Sequence, residues 1–215
     1  MGHKVNPMGF RLGLTQNHNS VWFAQKREYT RTLREDIKIH KCIEFFFQRH
    51  QRKSYLGIGR IEIQRKIDLI NIIIYIGFPI FFKNEKNEIT RVKNDIKRTL
   101  YLRDQKLNIN AEILAKPYQK TNILAEYIAL QLEKRVAVKK ILQKAVELAK
   151  KDEIEGIRIR IAGRLGGRER TRKTKIKLGR VTLQTLRAEM DYSSFTVRTI
   201  HGALGIQLWI FMKEQ

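Results

Sequence analysis

The sequence predicts a protein of the α+β class with two domains, and three observations lead to that class. Apolar residues recur at helical spacing between about residues 30 and 50. Residues 60–66 (RIEIQRK) alternate like a half-buried strand, and residues 69–76 (LINIIIYI) are β-branched enough for a central one. Beyond residue 120, two helical patterns precede several alternating segments, which predicts helices packed on one face of a sheet.

The charge composition indicates which class of partner the chain is expected to bind. Its 215 residues include 44 Lys and Arg against 21 Asp and Glu, a formal net charge of +23 with a pI of about 10.3. This balance is typical of proteins that bind nucleic acid or another polyanion. A hydrophobic content of 42% supports packed cores, and the length suits one large or two small domains. We expect two.

Several function classes find no support in the residue types. Cys42 is the single cysteine, so an intramolecular disulfide is excluded, no Cys/His metal spacing exists, and a reducing compartment is expected. The five histidines are scattered without a paired nucleophile or carboxylate, and no phosphate-binding glycine loop or H-E-x-x-H motif occurs. We therefore expect no enzyme, no cofactor and no metal.

Membrane association is not expected either. The start of the chain lacks the apolar core of a secretory signal. The most apolar run, residues 69–82, is interrupted by Asn71, Gly77 and Pro79 and is shorter than the roughly 20 residues of a membrane helix.

Residues 1–24 are predicted to form an extended N-terminal arm, because glycine and proline recur too often for a long helix. We expect Lys4 and Arg11 to contact phosphates and Trp22 to stack on bases or protein. Packing of Trp22 and Phe23 on the following domain is equally compatible with the sequence.

The first domain is predicted over residues 25–116. Its predicted order is helix, strand, strand, helix, strand, over residues 30–50, 60–66, 69–76, 89–100 and 107–114. Asp68 is expected at the turn between the first two strands. Lys116 and Pro117 end the domain.

The second domain, residues 117–215, is predicted to begin with a helix capped by Thr121 or Asn122. A second helix takes over around Arg135, and its charged face carries Lys139, Lys140 and Lys144. Such a face also suits a simple solvated helix. The absence of acids before Glu147 favours a face turned towards RNA.

The densest positive charge lies in residues 163–187, where Glu169 is the only acid. The segment is predicted to be a basic hairpin, with Gly163, Gly166 and Gly167 at the turn and Gly179 at the return. Arg168, Arg170 and Arg172 would share one strand face because side chains alternate along a strand. Repulsion within such a segment favours a polyanionic partner over a solvated surface. The residues predicted to contact this polyanion are Arg164, Arg168, Arg170, Arg172, Lys173, Lys175, Lys177, Arg180 and Arg187. Residues 157–163, 179–190 and 203–212 are predicted as further strands.

Several long motifs, taken together, carry a family resemblance. The chain opens with MGHKVNPMGFRLG and SVWFA, continues with NILAEYIALQLEKRVAVKK and AGRLGG, and ends with GRVTLQTLRAEMDY and GIQLWIF. In content, order and spacing these motifs resemble the small ribosomal subunit protein three family from end to end. The resemblance implies an N-terminal type II KH domain followed by an α+β domain with helices on one face of a mostly antiparallel sheet.

The resemblance also implies a function and partners. It implies a structural constituent of the small-subunit head that binds small-subunit rRNA, lines the mRNA entrance, and neighbours small-subunit proteins ten and fourteen. A free RNA chaperone or regulator using the same surface is the alternative. An RNA-cleaving enzyme built on His201 and Asp191 would be a third class, although nothing in the sequence orients that pair.

Three departures from the family pattern bear on mechanism. The KH glycine loop corresponds to residues 83–86 (KNEK), where both glycines are absent. The three basic residues that face mRNA in the family fall on Lys139, Lys140 and Gln143, and Lys144 points about 100° away from position 143. After GRLGG, the family's acid-containing segment with Trp is replaced by RERTRKTKIKLG.

Richness in Ile, Lys and Asn, together with the altered KH loop, resembles the plastid-encoded branch of the family. We therefore expect the chloroplast stroma, within the plastid ribosome, with a bacterial cytoplasm as the alternative.

Overall fold

The computed structural model describes residues 5–51, 57–66, 69–78, 85–100 and 106–214. The chain divides into a first unit, His18–Ala115, and a second unit made of Met1–Asn17 and Lys116–Gln215. Each unit has its own four-stranded sheet and its own hydrophobic core. No helix in the described ranges combines the length and apolar character needed to cross a bilayer.

Residues 5–24 do not form the extended arm predicted for residues 1–24. Helix α1 (Pro7–Arg11) begins after Asn6, whose Oδ1 accepts the backbone N–H of Met8 at 2.9 Å. Residues 5–17 belong to the second unit, whereas strand β1 (Ser20–Val21) pairs in parallel with a strand of the first. The prediction is therefore wrong over residues 5–24, because a helix cap and a strand pairing satisfy backbone groups that an arm would leave to solvent.

The first unit has the predicted order of elements. Its elements after β1 are α2 (Lys26–Gln51), β2 (Ile58–Arg65), β3 (Leu69–Ile76), α3 (Glu85–Leu100) and β4 (Lys106–Ile113). The sheet order is β1-β2-β3-β4, with β2 and β3 antiparallel and β3 and β4 parallel. The turn predicted at Asp68 and positions 83–84 of the KH loop lie outside the described residues.

One face of this sheet is covered by its two helices. Ile70, Ile72 and Ile74 of β3 are buried on alternate positions and pack with Ile39 of α2 and Ile96 of α3. The apolar side chains that recur every second residue along the strands and about every 3.6 residues along the helices therefore pack in one core.

The second unit confirms the α+β prediction at the level of class. It contains α4 (Thr121–Glu133), α5 (Val138–Lys151), β5 (Gly156–Gly163), β6 (Arg172–Gly179), β7 (Ala188–Thr199) and β8 (Gly202–Glu214). The sheet order is β6-β5-β8-β7, and each neighbouring pair is antiparallel. Leu124 of α4 and Leu142 of α5 pack against Ile159 and Leu208. The two helices therefore cover one face of this sheet.

Two local predictions in this unit are corrected. Helix α4 is capped by neither Thr121 nor Asn122; instead the Asp191 carboxylate accepts the N–H of Thr121 at 2.8 Å and its hydroxyl at 3.0 Å. A carboxylate in that place also complements the positive end of the helix dipole. Residues 180–187, predicted as part of a strand, are irregular, and β7 begins only at Ala188.

Candidate nucleic-acid interface

The basic segment forms the edge of the second sheet. Strands β5 and β6 pair from Gly156 with Gly179 to Gly163 with Arg172, and residues 164–171 connect them. Gly166 and Gly167 turn this connection with φ angles of 67° and 76°, where glycine has no steric penalty. Arg164 Nε donates to the Arg168 carbonyl at 3.0 Å across the connection.

The prediction that Arg168, Arg170 and Arg172 share one strand face is wrong for the first two. Arg168 and Arg170 lie in the connection, and β6 begins at Arg172. The alternation of cations continues through both regions, so it could not reveal where pairing with β5 begins. All three side chains are nevertheless exposed.

Three lysines of β6 form a row on the sheet face away from the helices. Lys173, Lys175 and Lys177 are exposed, whereas Ile176 between them packs against the core under α4 and α5. Alternate residues of a strand are about 7 Å apart. The row therefore presents evenly spaced cations to a polyanion.

Sequence reasoning missed two further cations of this face. Arg158 and Arg160 of β5 stand directly opposite Lys177 and Lys175 in the register. The alternation of residues 157–161 (IRIRI) showed that the two arginines share a face. The predicted glycine turn made the next strand their neighbour, but the register that sets Arg158 and Arg160 opposite Lys177 and Lys175 depends on the length of the connection, which the pattern did not fix.

Arg135 ends helix α4 in an unusual backbone conformation. Its φ is 58°, its N–H donates to Leu132 O at 3.0 Å, and the next N–H, from Val136, donates to Gln131 O at 3.1 Å. These two bonds form a Schellman motif, in which the residue at the position of Arg135 is usually glycine. The side chain is exposed, so packing does not explain an arginine at this position.

The start of α5 adds three lysines. Lys139 and Lys140 lie in its first turn, which contains no acid, and Lys144 follows Lys140 by one turn; all three are exposed. Cations at the N-terminal end of a helix oppose the macrodipole. Helix stability therefore does not account for them, whereas an anionic partner would.

Comparison with known proteins shows the family to which the chain belongs. Its residues 128–210 match the family described as Ribosomal protein S3, C-terminal domain. The small ribosomal subunit protein uS3c of Pinus thunbergii is 54% identical over 214 residues, covering 98% of this chain and 99% of the relative. The uS3c proteins of Physcomitrium patens and Amborella trichopoda are 51% and 48% identical over 218 residues, and each alignment covers 100% of this chain and 100% of the relative. This chain belongs to the small ribosomal subunit protein uS3 family.

Membership in the uS3 family confirms the resemblance carried by the motifs. The matched residues 128–210 contain α5, the basic hairpin and most of β8. The candidate interface therefore lies in the part of the chain that matches the C-terminal domain of uS3 proteins.

In this uS3 chain Arg11 has a structural position, contrary to the predicted phosphate contact. It is fully buried; Nε donates to Ala188 O and Nη2 to Thr185 O, both at 2.8 Å, and Nη1 donates to Pro7 O at 2.9 Å. Burial lowers the pKa of its guanidinium, which stays charged at neutral pH because the ordinary value is so high. Arg11 ties residues 180–187 to the start of β7, so these carbonyls bond to a side chain instead of a neighbouring strand.

Trp22 packs on the first unit, which was one of its two predicted roles. Its Nε1 donates to Asp36 Oδ2 at 2.7 Å, and its ring lies 5.6 Å from that of Tyr29. Arg65 donates to the other oxygen of Asp36 at 2.9 and 2.5 Å. Trp22 is therefore engaged within the protein, while Lys4 lies outside the described residues.

The described residues assemble neither the proposed catalytic pair nor a metal centre. Asp191 accepts hydrogen bonds from Thr121. Thr199, at the end of β7 that leads into the His201 turn, follows Asp191 by eight positions, about 27 Å of strand. Within the described ranges, no three His, Cys, Asp or Glu side chains gather as a metal site would require.

Proposed function

We propose that this chain is a structural constituent of the small ribosomal subunit head and binds small-subunit rRNA through the basic hairpin. One observation carries the proposal: nine exposed cations accompany a single acid, Glu169, over residues 163–187. Such a surface neutralises phosphates and recognises RNA by shape rather than by base sequence. The proposed contacts are Arg164, Arg168, Arg170, Arg172, Lys173, Lys175, Lys177, Arg180 and Arg187.

The second part of the proposal concerns mRNA. Arg135, Lys139, Lys140 and Lys144 form one exposed group at the junction of α4 and α5, and we propose that it lines the mRNA entrance. The left-handed Arg135 and the unfavourable dipole positions of Lys139 and Lys140 support a role outside stability. Because Gln143 is neutral, Lys140 and Lys144 would supply the positive charge in the middle of this surface.

The N-terminal domain, residues 25–116, is proposed to be a type II KH domain. The order α2-β2-β3-α3-β4, with a mixed sheet, supports this assignment. Its glycine loop is replaced by residues 83–86, and a Cβ at each former glycine hinders close approach to phosphates. The domain would therefore be structural, or bind RNA weakly through Lys83 and Lys86, while residues 117–215 carry the main RNA contacts.

The setting follows from the relatives. Those named uS3c, the chloroplast form of the protein, come from land plants and match the chain at full length. We therefore assign this chain to the plastid ribosome rather than a bacterial cytoplasm. We further propose, from the family resemblance, that it neighbours small-subunit proteins ten and fourteen. A structural role of this kind needs no catalytic residue and no cofactor.

Sedimentation tests this proposal. Small subunits assembled with the chain are washed at increasing salt, comparing the unchanged chain with the R168Q/R170Q/R172Q/K173Q variant. The unchanged chain should stay with the subunits through a high-salt wash. The variant should leave at lower salt because it makes fewer phosphate contacts and binds more weakly. The slope of log K against the logarithm of the salt concentration should become shallower by about 0.7 to 0.9 for each lost contact.

The matched control removes four exposed charges from the first unit, in the K26Q/K38Q/K41Q/K97Q variant, and should stay bound as the unchanged chain does. Equal release of both variants would contradict the assignment of the hairpin. Loss of the unchanged chain at low salt would instead support a free RNA chaperone.

A further inference from the structure

The face of the second sheet opposite α4 and α5 carries an ordered set of side chains, which we call the open sheet face. The strand register aligns twelve positions in three rows. The rows, each read from β6 through β5 and β8 to β7, are Lys177-Arg158-Trp209-Tyr192, Lys175-Arg160-Gln207-Ser194 and Lys173-Ala162-Gly205-Thr196.

Charge and aromatic groups are separated across this face. Five cations occupy β6 and β5, while β8 and β7 carry the two aromatic rings with amide and hydroxyl groups. None of the twelve positions is acidic. The face therefore has a cationic half beside a half that suits flat rings and hydrogen bonds.

Within the described residues of the second unit, a small apolar cluster covers one end of this side of the sheet. Val181 and Leu183 pack there on Met190 and Phe211, with Trp209 at the margin of that cluster. Beyond it, Trp209 and Tyr192 are half-buried, and the lysines of β6 are exposed. The small residues of the third row, with Gly205 exposed, leave the surface flat.

The aromatic pair is already positioned by its neighbours. The rings of Tyr192 and Trp209 are 5.3 Å apart with planes inclined at 41°, and the Arg158 guanidinium lies 5.0 Å from the Trp209 ring. Arg160 Nη1 donates to Gln207 Oε1 at 3.3 Å in the next row. Rings held in this way lose little conformational entropy when a ligand stacks on them.

We propose that the open sheet face binds an unpaired stretch of RNA, with a base stacked on the Trp209 and Tyr192 rings and its phosphates on Arg158, Arg160 and Lys175. The inference rests on the proposed rRNA-binding function and adds a single-stranded element to it. Sheets that bear aromatic residues bind single strands in this way, because only unpaired bases offer a free ring face.

Charge complementarity together with the rings selects RNA over an acidic protein. An acidic polypeptide would satisfy the five cations, but its carboxylates offer nothing flat to the Trp209 and Tyr192 pair. A single-stranded polynucleotide supplies phosphates for the cations and flat bases for the aromatic rings. The lysines of β6 also join this face to the basic hairpin, so one RNA can contact both.

Fluorescence of Trp209 tests the proposal in the full chain. Trp22 and Trp209 are the only tryptophans, so the W22F substitution leaves Trp209 as the sole reporter, and Asp36 keeps its bonds from Arg65. A single-stranded RNA of about twelve nucleotides is titrated in, while its own fluorescent label reports binding by anisotropy. Stacking should quench Trp209 as the RNA saturates the protein.

Two comparisons sharpen the test. The R158Q/K175Q substitutions should weaken the RNA-dependent quench, whereas K26Q/K38Q, which removes two exposed charges from α2, should leave it unchanged. With the unsubstituted chain, an abasic strand of equal length should bind about tenfold more weakly than the intact one, because base stacking is lost.

Three outcomes overturn the proposal: binding without any quench, equal affinity for abasic and intact strands, or an equal quench by polyglutamate. Any of these leaves the rRNA-binding proposal standing if the chain still remains on salt-washed subunits. A chain that leaves the subunits and binds no single strand refutes both.

Discussion

Side-chain chemistry alone did not separate cations that hold the fold from cations that face a partner. Arg11 and Arg168 are the same residue type in glycine-containing surroundings, yet Arg11 is fully buried on backbone carbonyls and Arg168 is exposed. The difference comes from residues 182–188, which lie more than 170 positions away from Arg11. A sequence pattern reports local spacing, so it could not show that contact.

Arg135 permits stability and RNA binding to be separated at one residue. The R135G substitution should relieve the left-handed strain, about 1–2 kcal/mol, and lose about 1 kcal/mol of that through the greater freedom of the unfolded chain. We expect the free energy of unfolding of the second unit to stay equal or rise by about 0.5 kcal/mol while RNA affinity falls. In the W22F background, urea unfolding followed by Trp209 fluorescence measures the change in stability, and an RNA titration measures the change in affinity.

The R135Q variant serves as the control because it removes the charge and keeps the strained side chain. It should weaken RNA binding as much as R135G without the gain in stability. A marked loss of stability in R135G, or unchanged RNA affinity in both variants, would contradict this account of Arg135.

At the scale of elements, periodicity predicted most helices and strands, and the failures have a common cause. The strand predicted over residues 69–76 is found with those bounds, because its pattern and its burial coincide. Residues 180–187 also alternate, yet Arg11 takes up carbonyls of this segment before β7 begins. Alternation predicts a strand only where a neighbouring strand is present to complete the hydrogen bonds.

The end of the basic hairpin opposite its connection depends on glycine, because Gly179 pairs there with Gly156. A Cβ on Gly179 would stand 2.0 Å from Glu155 O, at a φ of 67°, whereas Gly166 has the same φ with open space around it. G179A should therefore cost the conformational strain and displace backbone, a loss of about 2–4 kcal/mol in stability. G166A should cost only the conformational part, about 1 kcal/mol.

Thermal unfolding of the two alanine variants, side by side, measures this difference. Because Gly179 ends β6, G179A should also weaken RNA binding by misplacing the row from Lys173 to Lys177. Equal midpoints for the two variants would show that the close approach of Gly179 to Glu155 does not determine the hairpin.

At the scale of the whole molecule, composition predicted the class of partner better than it predicted which residues form the binding surface. The net charge of +23 indicated a polyanion, and the motif order indicated the family. The division of the N-terminal residues between the two units depended on contacts between distant segments, and the alignment of Arg158 and Arg160 with Lys177 and Lys175 depended on the register of two neighbouring strands. The open sheet face therefore became visible only in the folded sheet.

The central claim is that the positive surface of the second unit lies against folded RNA, and a cryo-EM map of the small subunit containing this chain tests it most directly. Phosphate oxygens should lie within about 3–4 Å of the charged groups of the β6 row and of the hairpin connection, at charge-assisted contact distance. The claim would be contradicted if those side chains pointed into solvent with no nucleotide within about 10 Å, the range of screened charge interactions.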